Sequence, residues 1–196
     1  PVVGVVGNMM LWASGVDIGE GNKSFIRNAL GDEFEETWGM AVYLHENHSE
    51  YFLLPIDVAI EVNGDRVAMS VEDLPTKNPI YDIGIATLMQ IRPLLINAGC
   101  ILWNGPASYF ELPGFAFGTI EILNMCTESS AVTIVGGGHT SSLVSNRGVV
   151  DQVTHNSTGG GACLTMLSGG FMPVIDSLTR SHKKFFSILA ALDLHN

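Results

Sequence analysis

Two glycine triplets, Gly136-Gly137-Gly138-His139-Thr140 and Ser157-Thr158-Gly159-Gly160-Gly161, limit what this chain can fold into more than any other feature. Each follows a short run that favours a strand, Ala131-Val132-Thr133-Ile134-Val135 in one case and Val153-Thr154-His155 in the other. Each leads into a segment that suits a helix, Thr140 to Ser145 and Ala162 to Leu167. Strand, glycine loop and helix start, in that order, present free backbone N–H groups and a positive helix end to an anion. Glycine matters there because a Cβ would keep a phosphate away from the backbone. With Gly138 and Gly159 only 21 positions apart, the pair predicts one polyphosphate site on adjacent strands. Neither loop carries the Gly-Lys-Ser/Thr of a P-loop, and no Gly-x-Gly-x-x-Gly fingerprint opens the chain. The anion is indicated; the reaction is not.

The charge balance narrows the partners. A net charge of −11 with only nine basic residues argues against nucleic acid, which is gripped through clustered lysine and arginine. The one adjacent basic pair, Lys183-Lys184, reads as a solvated face of the last helix. At 196 residues, 46% hydrophobic and 15% charged, the chain suits a single packed domain. Cys100, Cys126 and Cys163 form no Cys-x-x-Cys pair and are expected as reduced core residues of a cytoplasmic protein. No apolar run nears the roughly 20 residues that span a bilayer, so no membrane partner is expected. The start, Pro1-Val2-Val3-Gly4-Val5-Val6, has neither an initiator methionine nor a basic leader and reads as a strand cut from a longer chain.

Short apolar runs alternate with helical periodicity. Val2–Val6, Tyr51–Leu54, Ile101–Trp103, Val132–Val135 and Val153–His155 read as strands buried on both faces. Ser24–Leu30, Phe34–Leu44, Ala86–Asn97 and Gly118–Cys126 read as helices. The alternation predicts an α/β fold, a three-layer αβα Rossmann-like domain with a mainly parallel sheet. Asn63-Gly64-Asp65 between two strand-like pieces adds a small β-hairpin excursion. Ligands of such sheets bind beyond the carboxyl ends of the strands. The candidate segments are therefore Gly7-Asn8, Pro55-Ile56-Asp57, Asn104-Gly105-Pro106, Gly136–Thr140 and Asn156–Gly161.

Several of these stretches, in order over nearly the whole chain, resemble phosphoglycerate kinase. They include Gly4-Val5-Val6-Gly7-Asn8, Gly15-Val16-Asp17-Ile18-Gly19, Leu53-Leu54-Pro55-Ile56-Asp57-Val58 and Asp82-Ile83-Gly84. The match continues through Trp103-Asn104-Gly105-Pro106, Phe110-Glu111, Phe115-Ala116-Phe117-Gly118-Thr119 and both glycine loops. His139, where many members carry aspartate, resembles the archaeal branch. The resemblance is to the family's C-terminal, nucleotide-binding half. It implies a phosphotransferase of glycolysis and gluconeogenesis that passes a phosphoryl group between 1,3-bisphosphoglycerate and ADP, giving 3-phosphoglycerate and ATP. Residues 1–196 would hold Mg-ADP or Mg-ATP, while the glycerate substrate would sit on an N-terminal domain that this chain lacks. A stand-alone nucleotide-binding module without catalysis is the alternative.

Residue by residue, the resemblance places Asn104 and the backbone of Gly136, Gly137, Gly138, His139 and Thr140 at the nucleotide phosphates. Gly137, Gly138, Gly159 and Gly160 would face the phosphoryl group in transfer. Glu111 would accept hydrogen bonds from the ribose hydroxyls, with Pro106, Ser108 and Tyr109 beside the sugar and base. Gly4, Ile80 and Tyr81 would line the adenine slot. Ser108 stands where the family usually has glycine, and Val3 where the first glycine of a pair is usual.

Blander roles suit the remaining polar groups. His139 is read as a hydrogen-bond donor to phosphate rather than as a metal ligand or acid–base group, and no metal-ligating residue is assigned. His155 is read as a structural histidine satisfied by backbone. Asp57 is open to two readings, a magnesium contact or a loop cap. Glu33, Glu35 and Glu36 suit a solvated helix face, and Trp12, Trp38 and Trp103 suit the core. Gly-x-Ser-x-Gly does not occur, so serine hydrolase chemistry has no support.

Overall fold

A computed structural model describes residues 1–193, with side chains through Phe186. Three helices come first: α1 (Gly4–Ala13), α2 (Glu20–Leu30) and α3 (Phe34–His48). Strands β1 (Asp57–Val62), β2 (Asp65–Ser70) and β3 (Ile80–Ile83) follow. The chain then alternates through α4 (Ile85–Ile96), β4 (Cys100–Asn104), α5 (Phe117–Glu128), β5 (Val132–Gly136), α6 (Gly138–Asn146), β6 (His155–Ser157) and α7 (Gly160–Leu167), before α8 (Pro173–Asp193).

The alternating half builds a parallel sheet in the order β4-β5-β6. Its register aligns Asn104 with Gly136 and Gly136 with Ser157, so three strands end in one row. That alignment puts the loops after β4, β5 and β6 on a single edge. Helices α6 and α7, which start from that edge, both pack on β5. Behind the sheet, Ile101, Trp103, Ile122, Leu123, Cys126, Val135 and Val144 share one buried core with Leu88 and Ile91 of α4. The fold is α/β, as the alternation predicted.

The hairpin also forms where it was expected. Val62 pairs with Asp65, which leaves Asn63 and Gly64 as a two-residue turn with φ of 53° and 92°. Such turns need positive φ at both central residues, and asparagine followed by glycine supplies it most cheaply. Strand β3 joins the other side of β1, so the excursion becomes a three-stranded antiparallel sheet of order β2-β1-β3. A second core lies under it, made by Met9, Met10 and Leu11 of α1, Ile26 of α2, and Val58, Ile60 and Ile80.

Four local expectations need correction. Val2–Val6 is not a strand: Val3 is extended, but the chain turns at Gly4 and enters α1. Val5 and Val6 are exposed while Gly7, Met9, Met10 and Leu11 are buried, so the apolar side that matters lies downstream and has helical spacing. Tertiary packing overrode the β propensity of the valines. Tyr51–Leu54 forms no strand either, although the Val2 amide donates to the Leu53 carbonyl at 2.9 Å. The last strand runs two residues further along, His155–Ser157 instead of Val153–His155, because Ile134 of β5 pairs with His155. Strand β4 is not buried on both faces: Ile101 and Trp103 point inward, and Leu102 is exposed.

The cysteines divide as well. Cys126 is a fully buried core thiol, pushed up to about 12 by desolvation, whereas Cys100 is exposed and Cys163 half-buried. All three are free thiols. Trp103 is buried as expected, but Trp12 and Trp38 are half-buried, with ring centroids 4.1 Å apart and the Arg27 guanidinium 5.0 Å above Trp12. Glu33, Glu35 and Glu36 are exposed, as are Lys183 and Lys184 on α8.

Candidate functional site at the carboxyl edge of the parallel sheet

Two helices begin at the edge where β4, β5 and β6 end. Gly137, with φ of 94°, forms the turn out of β5 and caps α6; Gly159 does the same for α7 after β6. In α6 the first helical hydrogen bond runs from the Ser141 amide to the Gly137 carbonyl at 2.9 Å; in α7 it runs from Cys163 to Gly159 at 3.0 Å. The amides of Gly138, His139 and Thr140, and of Gly160, Gly161 and Ala162, therefore lie in first turns with no intrahelical acceptor. Each helix start carries about half a positive charge, and two of them face this edge.

The glycines divide into two kinds. A methyl group on Gly160 would stand 2.4 Å from the Gly137 nitrogen, 2.6 Å from its Cα and 2.7 Å from Asn104 Oδ1. One on Gly136 would stand 3.0 Å from Asn104 Oδ1. These glycines, with Asn104 between them, allow the two loops to pack backbone against backbone. Gly138, Gly159 and Gly161 are exposed, and a methyl there would meet nothing closer than 3.8 Å. The protein's own packing does not need their bareness.

Thr140 is fully buried, and its hydroxyl donates back to the Gly136 carbonyl and, at 3.2 Å, to that of Gly137. Only its amide is available to a ligand. Ser157 shapes the second loop by accepting the Gly159 amide at 3.2 Å. Asn156, half-buried, donates from its side-chain amide to the Ser141 carbonyl at 3.3 Å and so joins β6 to α6. Neither role was read from the sequence, although Ser-x-Gly is a known local turn signal.

The segment after β4 wraps the rim. Glu111 Oε1 lies 3.0 Å from His139 Nδ1, and both side chains are exposed. The His139 ring stands edge-on to Phe110, with centroids 6.3 Å apart. Tyr109 and Tyr81 meet edge-on at 5.2 Å, and the Tyr109 amide donates to the Tyr81 carbonyl at 2.7 Å. Gly4, with φ of 65°, comes so close to this segment that a methyl would stand 2.7 Å from the Pro106 carbonyl oxygen. Gly4, Pro106, Tyr109 and Tyr81 are thus brought together beside the glycine loops.

Other expected site residues are turned away. Ser108 is buried, its hydroxyl 2.6 Å from that of Thr119, which also accepts the Ala107 amide. Ile80 is buried in the second core. His155, read as a structural histidine satisfied by backbone, is exposed at the far end of β6 and away from the edge. Gly7 and Asn8 lie within α1, and Pro55-Ile56-Asp57 leads into β1; neither is at the parallel edge. Asp57 caps α4: its carboxylate accepts the Ala86 amide at 2.9 Å, the Thr87 amide at 2.7 Å and the Thr87 hydroxyl at 2.6 Å.

A buried acid went unnoticed in the sequence. Asp82 accepts the Gly118 amide at 3.0 Å and the Ile83 amide at 2.8 Å, and Arg66 Nη2 lies 3.3 Å away. Desolvation pushes its carboxyl up to about 6 against these stabilising partners. It braces β3 against α5 and does not reach the edge. A concavity of about 700 Å³ between Pro55–Asp57, Ala68–Glu72 and Ala86 also lies away from the glycine loops. The chemistry of the edge comes from its aligned N–H groups. No lysine or arginine occurs in either glycine loop. Among the described residues, no group of three His, Cys, Asp or Glu could hold a metal ion, and no helix is long and apolar enough to cross a membrane.

Comparison with known proteins accounts for this arrangement. A profile of the phosphoglycerate kinase family matches residues 2–170. The phosphoglycerate kinase of Methanopyrus kandleri is 40% identical over 179 residues, which are 89% of this chain and 42% of that protein. That of Methanobacterium bryantii is 38% identical over 181 residues, 92% of this chain and 43% of its own length. The crystal structure of phosphoglycerate kinase from Pyrococcus horikoshii superposes with a TM-score of 0.83 at 31% identity, covering 93% of this chain and 45% of that one. The enzyme from Coxiella burnetii gives 0.74 at 29%, covering 89% and 44%. The chain spans less than half the length of these relatives.

Proposed function

This chain belongs to the phosphoglycerate kinase family, and on that premise we propose that residues 1–196 are its nucleotide-binding C-terminal domain. The domain would hold Mg-ADP or Mg-ATP for phosphoryl transfer between 1,3-bisphosphoglycerate and ADP. The observation that carries the reading is the convergence of the α6 and α7 starts on one edge, with three exposed glycines whose lack of a side chain the fold itself does not require. Phosphates would lie against the amides of Gly138, His139, Thr140, Gly160 and Gly161, with Gly159 leaving room for them. Asn104, exposed with its Oδ1 close to both loops, would reach the phosphates between them. The rim of Gly4, Pro106, Tyr81 and Tyr109 would take the base, and Glu111 the ribose. Ile80 and Ser108 would support that rim from within.

Magnesium would come to this edge with the nucleotide, since among the described residues no group of three His, Cys, Asp or Glu could hold it. It supplies charge neutralisation on the phosphates when bound; the chain's own contribution is positioning by fixed dipoles. A cytoplasmic setting in glycolysis or gluconeogenesis suits the free thiols and the family. Titration calorimetry tests the reading: Mg-ADP should bind the folded chain, and no heat from a chain proven folded by circular dichroism would overturn it. With no lysine or arginine in either glycine loop, and with the glycerate substrate expected on another domain, this chain alone should bind nucleotide but give no measurable transfer in a coupled assay. Loss of charge-stabilising groups costs about 10²- to 10³-fold each.

A further inference from the structure

The contact between His139 and Glu111 joins two elements that are 28 residues apart. Glu111 lies in a turn closed by the Leu112 amide on the Tyr109 carbonyl at 3.1 Å, just before a 3-10 turn at Pro113–Phe115, and Tyr109, Leu112, Pro113 and Gly114 are also exposed. The turn fixes the backbone, and the side-chain partner of the carboxylate is His139. His139 starts from a fixed backbone: it occupies the first turn of α6, and its ring rests edge-on against Phe110. An ionised carboxylate only accepts hydrogen bonds, so Nδ1 carries the proton and donates to Oε1. One carboxylate oxygen is thereby held, and Oε2 is left with its lone pairs for another donor.

We infer that His139 is a positioning residue for ribose recognition: it fixes Glu111 so that the carboxylate can receive the vicinal hydroxyls of a ribonucleotide. This rests on the proposed nucleotide site with Glu111 at the sugar. It replaces the role expected of His139 from the sequence, a side-chain donor to phosphate. The ring is engaged at Nδ1 by the carboxylate, and the helix start already supplies phosphate donors from its backbone. It also makes sugar selectivity depend on a residue that never touches the sugar.

ADP and 2′,3′-dideoxy-ADP, which keeps the base and both phosphates but lacks the diol, separate the possibilities by calorimetry with magnesium present. The native chain should bind ADP about tenfold more tightly than the dideoxy compound, the size of a hydrogen bond to a charged group. His139→Leu should weaken ADP toward the dideoxy value and leave dideoxy-ADP unchanged. Glu111→Ala should do the same, and the double variant should be no worse than either single one. His139→Asn, whose amide nitrogen occupies the place of Nδ1, should restore most of the preference. If His139→Leu weakens both nucleotides equally, the histidine serves the phosphates or the fold and the inference is overturned. If Glu111→Ala abolishes the preference and His139→Leu does not, the inference fails while the nucleotide site stands. If Glu111→Ala leaves the preference intact, the assignment of Glu111 to the ribose is wrong, and the inference falls with it.

Discussion

Alanine at Gly138 and alanine at Gly160 should have opposite consequences, although the two glycines open equivalent helices. At Gly160 the new methyl would lie 2.4 and 2.6 Å from backbone atoms of Gly137, where ordinary contact begins near 3.4 Å. Backbone cannot rotate aside as a side chain can, so the loops must separate by about 1 Å. Overpacking of this kind costs about 1–3 kcal/mol, and in a chain of this size each kcal/mol lowers Tm by about 2–4 °C. At Gly138 the methyl meets no atom within 4 Å, and φ is not positive. The unfolded chain loses freedom there, so Gly138→Ala should be neutral or stabilise by up to about 1 kcal/mol. If phosphate rests on that backbone, the same methyl obstructs it, and Kd for Mg-ADP should rise at least about tenfold, or about 1.4 kcal/mol. Gly159→Ala, whose methyl would make only ordinary contacts at 3.8 and 3.9 Å, should behave like Gly138→Ala. Thermal denaturation and calorimetry on the three variants measure both axes. Gly138→Ala and Gly159→Ala with native affinity would refute the reasoning, since open glycines would then serve no ligand. A Gly160→Ala protein as stable as the native one would refute the account of loop packing.

Two further outcomes follow from Asp82 and Asp57. Asp82 binds its proton more tightly in the folded chain, near pH 6, than in the unfolded one, near 3.8. The stability this contributes is present in full below about pH 4 and is lost as pH rises through 6, on the order of 3 kcal/mol across the window. Asp17 and Glu20, held down by Lys23 and Arg27, push the opposite way, so unfolding free energies of Asp82→Asn and native protein should be subtracted at each pH from 4 to 7. Parallel profiles would show that Asp82 titrates normally. Asp57→Ala should remove the cap of α4 at a cost of about 1–3 kcal/mol while leaving Mg-ADP affinity unchanged; weaker nucleotide binding at native stability would return Asp57 to the magnesium.

The glycine loops were legible in the sequence because their signal is local. A strand ending, a glycine that accepts positive φ and a helix start occupy five consecutive residues at 136–140, and backbone geometry alone makes that an anion site. The same holds for Asn63-Gly64, where the turn type follows from two residues. The α/β class followed from periodicity, and the family from the order of its motifs. Val2–Val6 misled because β-branched propensity is a weak local preference, and burying Met9, Met10 and Leu11 under the antiparallel sheet outweighed it. Nothing local could distinguish Gly138 from Gly160 or turn Ser108 toward Thr119. Nor could it set Glu111 against His139, bury Asp82 beside Gly118, or make Asp57 the cap of α4. Each of those depends on the meeting of segments distant in the chain. The sequence by itself determined which residues could form phosphate loops; only the tertiary structure decided which glycines are spent on packing and which are left open, because close packing is a property of the surfaces that meet and is written in neither of them alone.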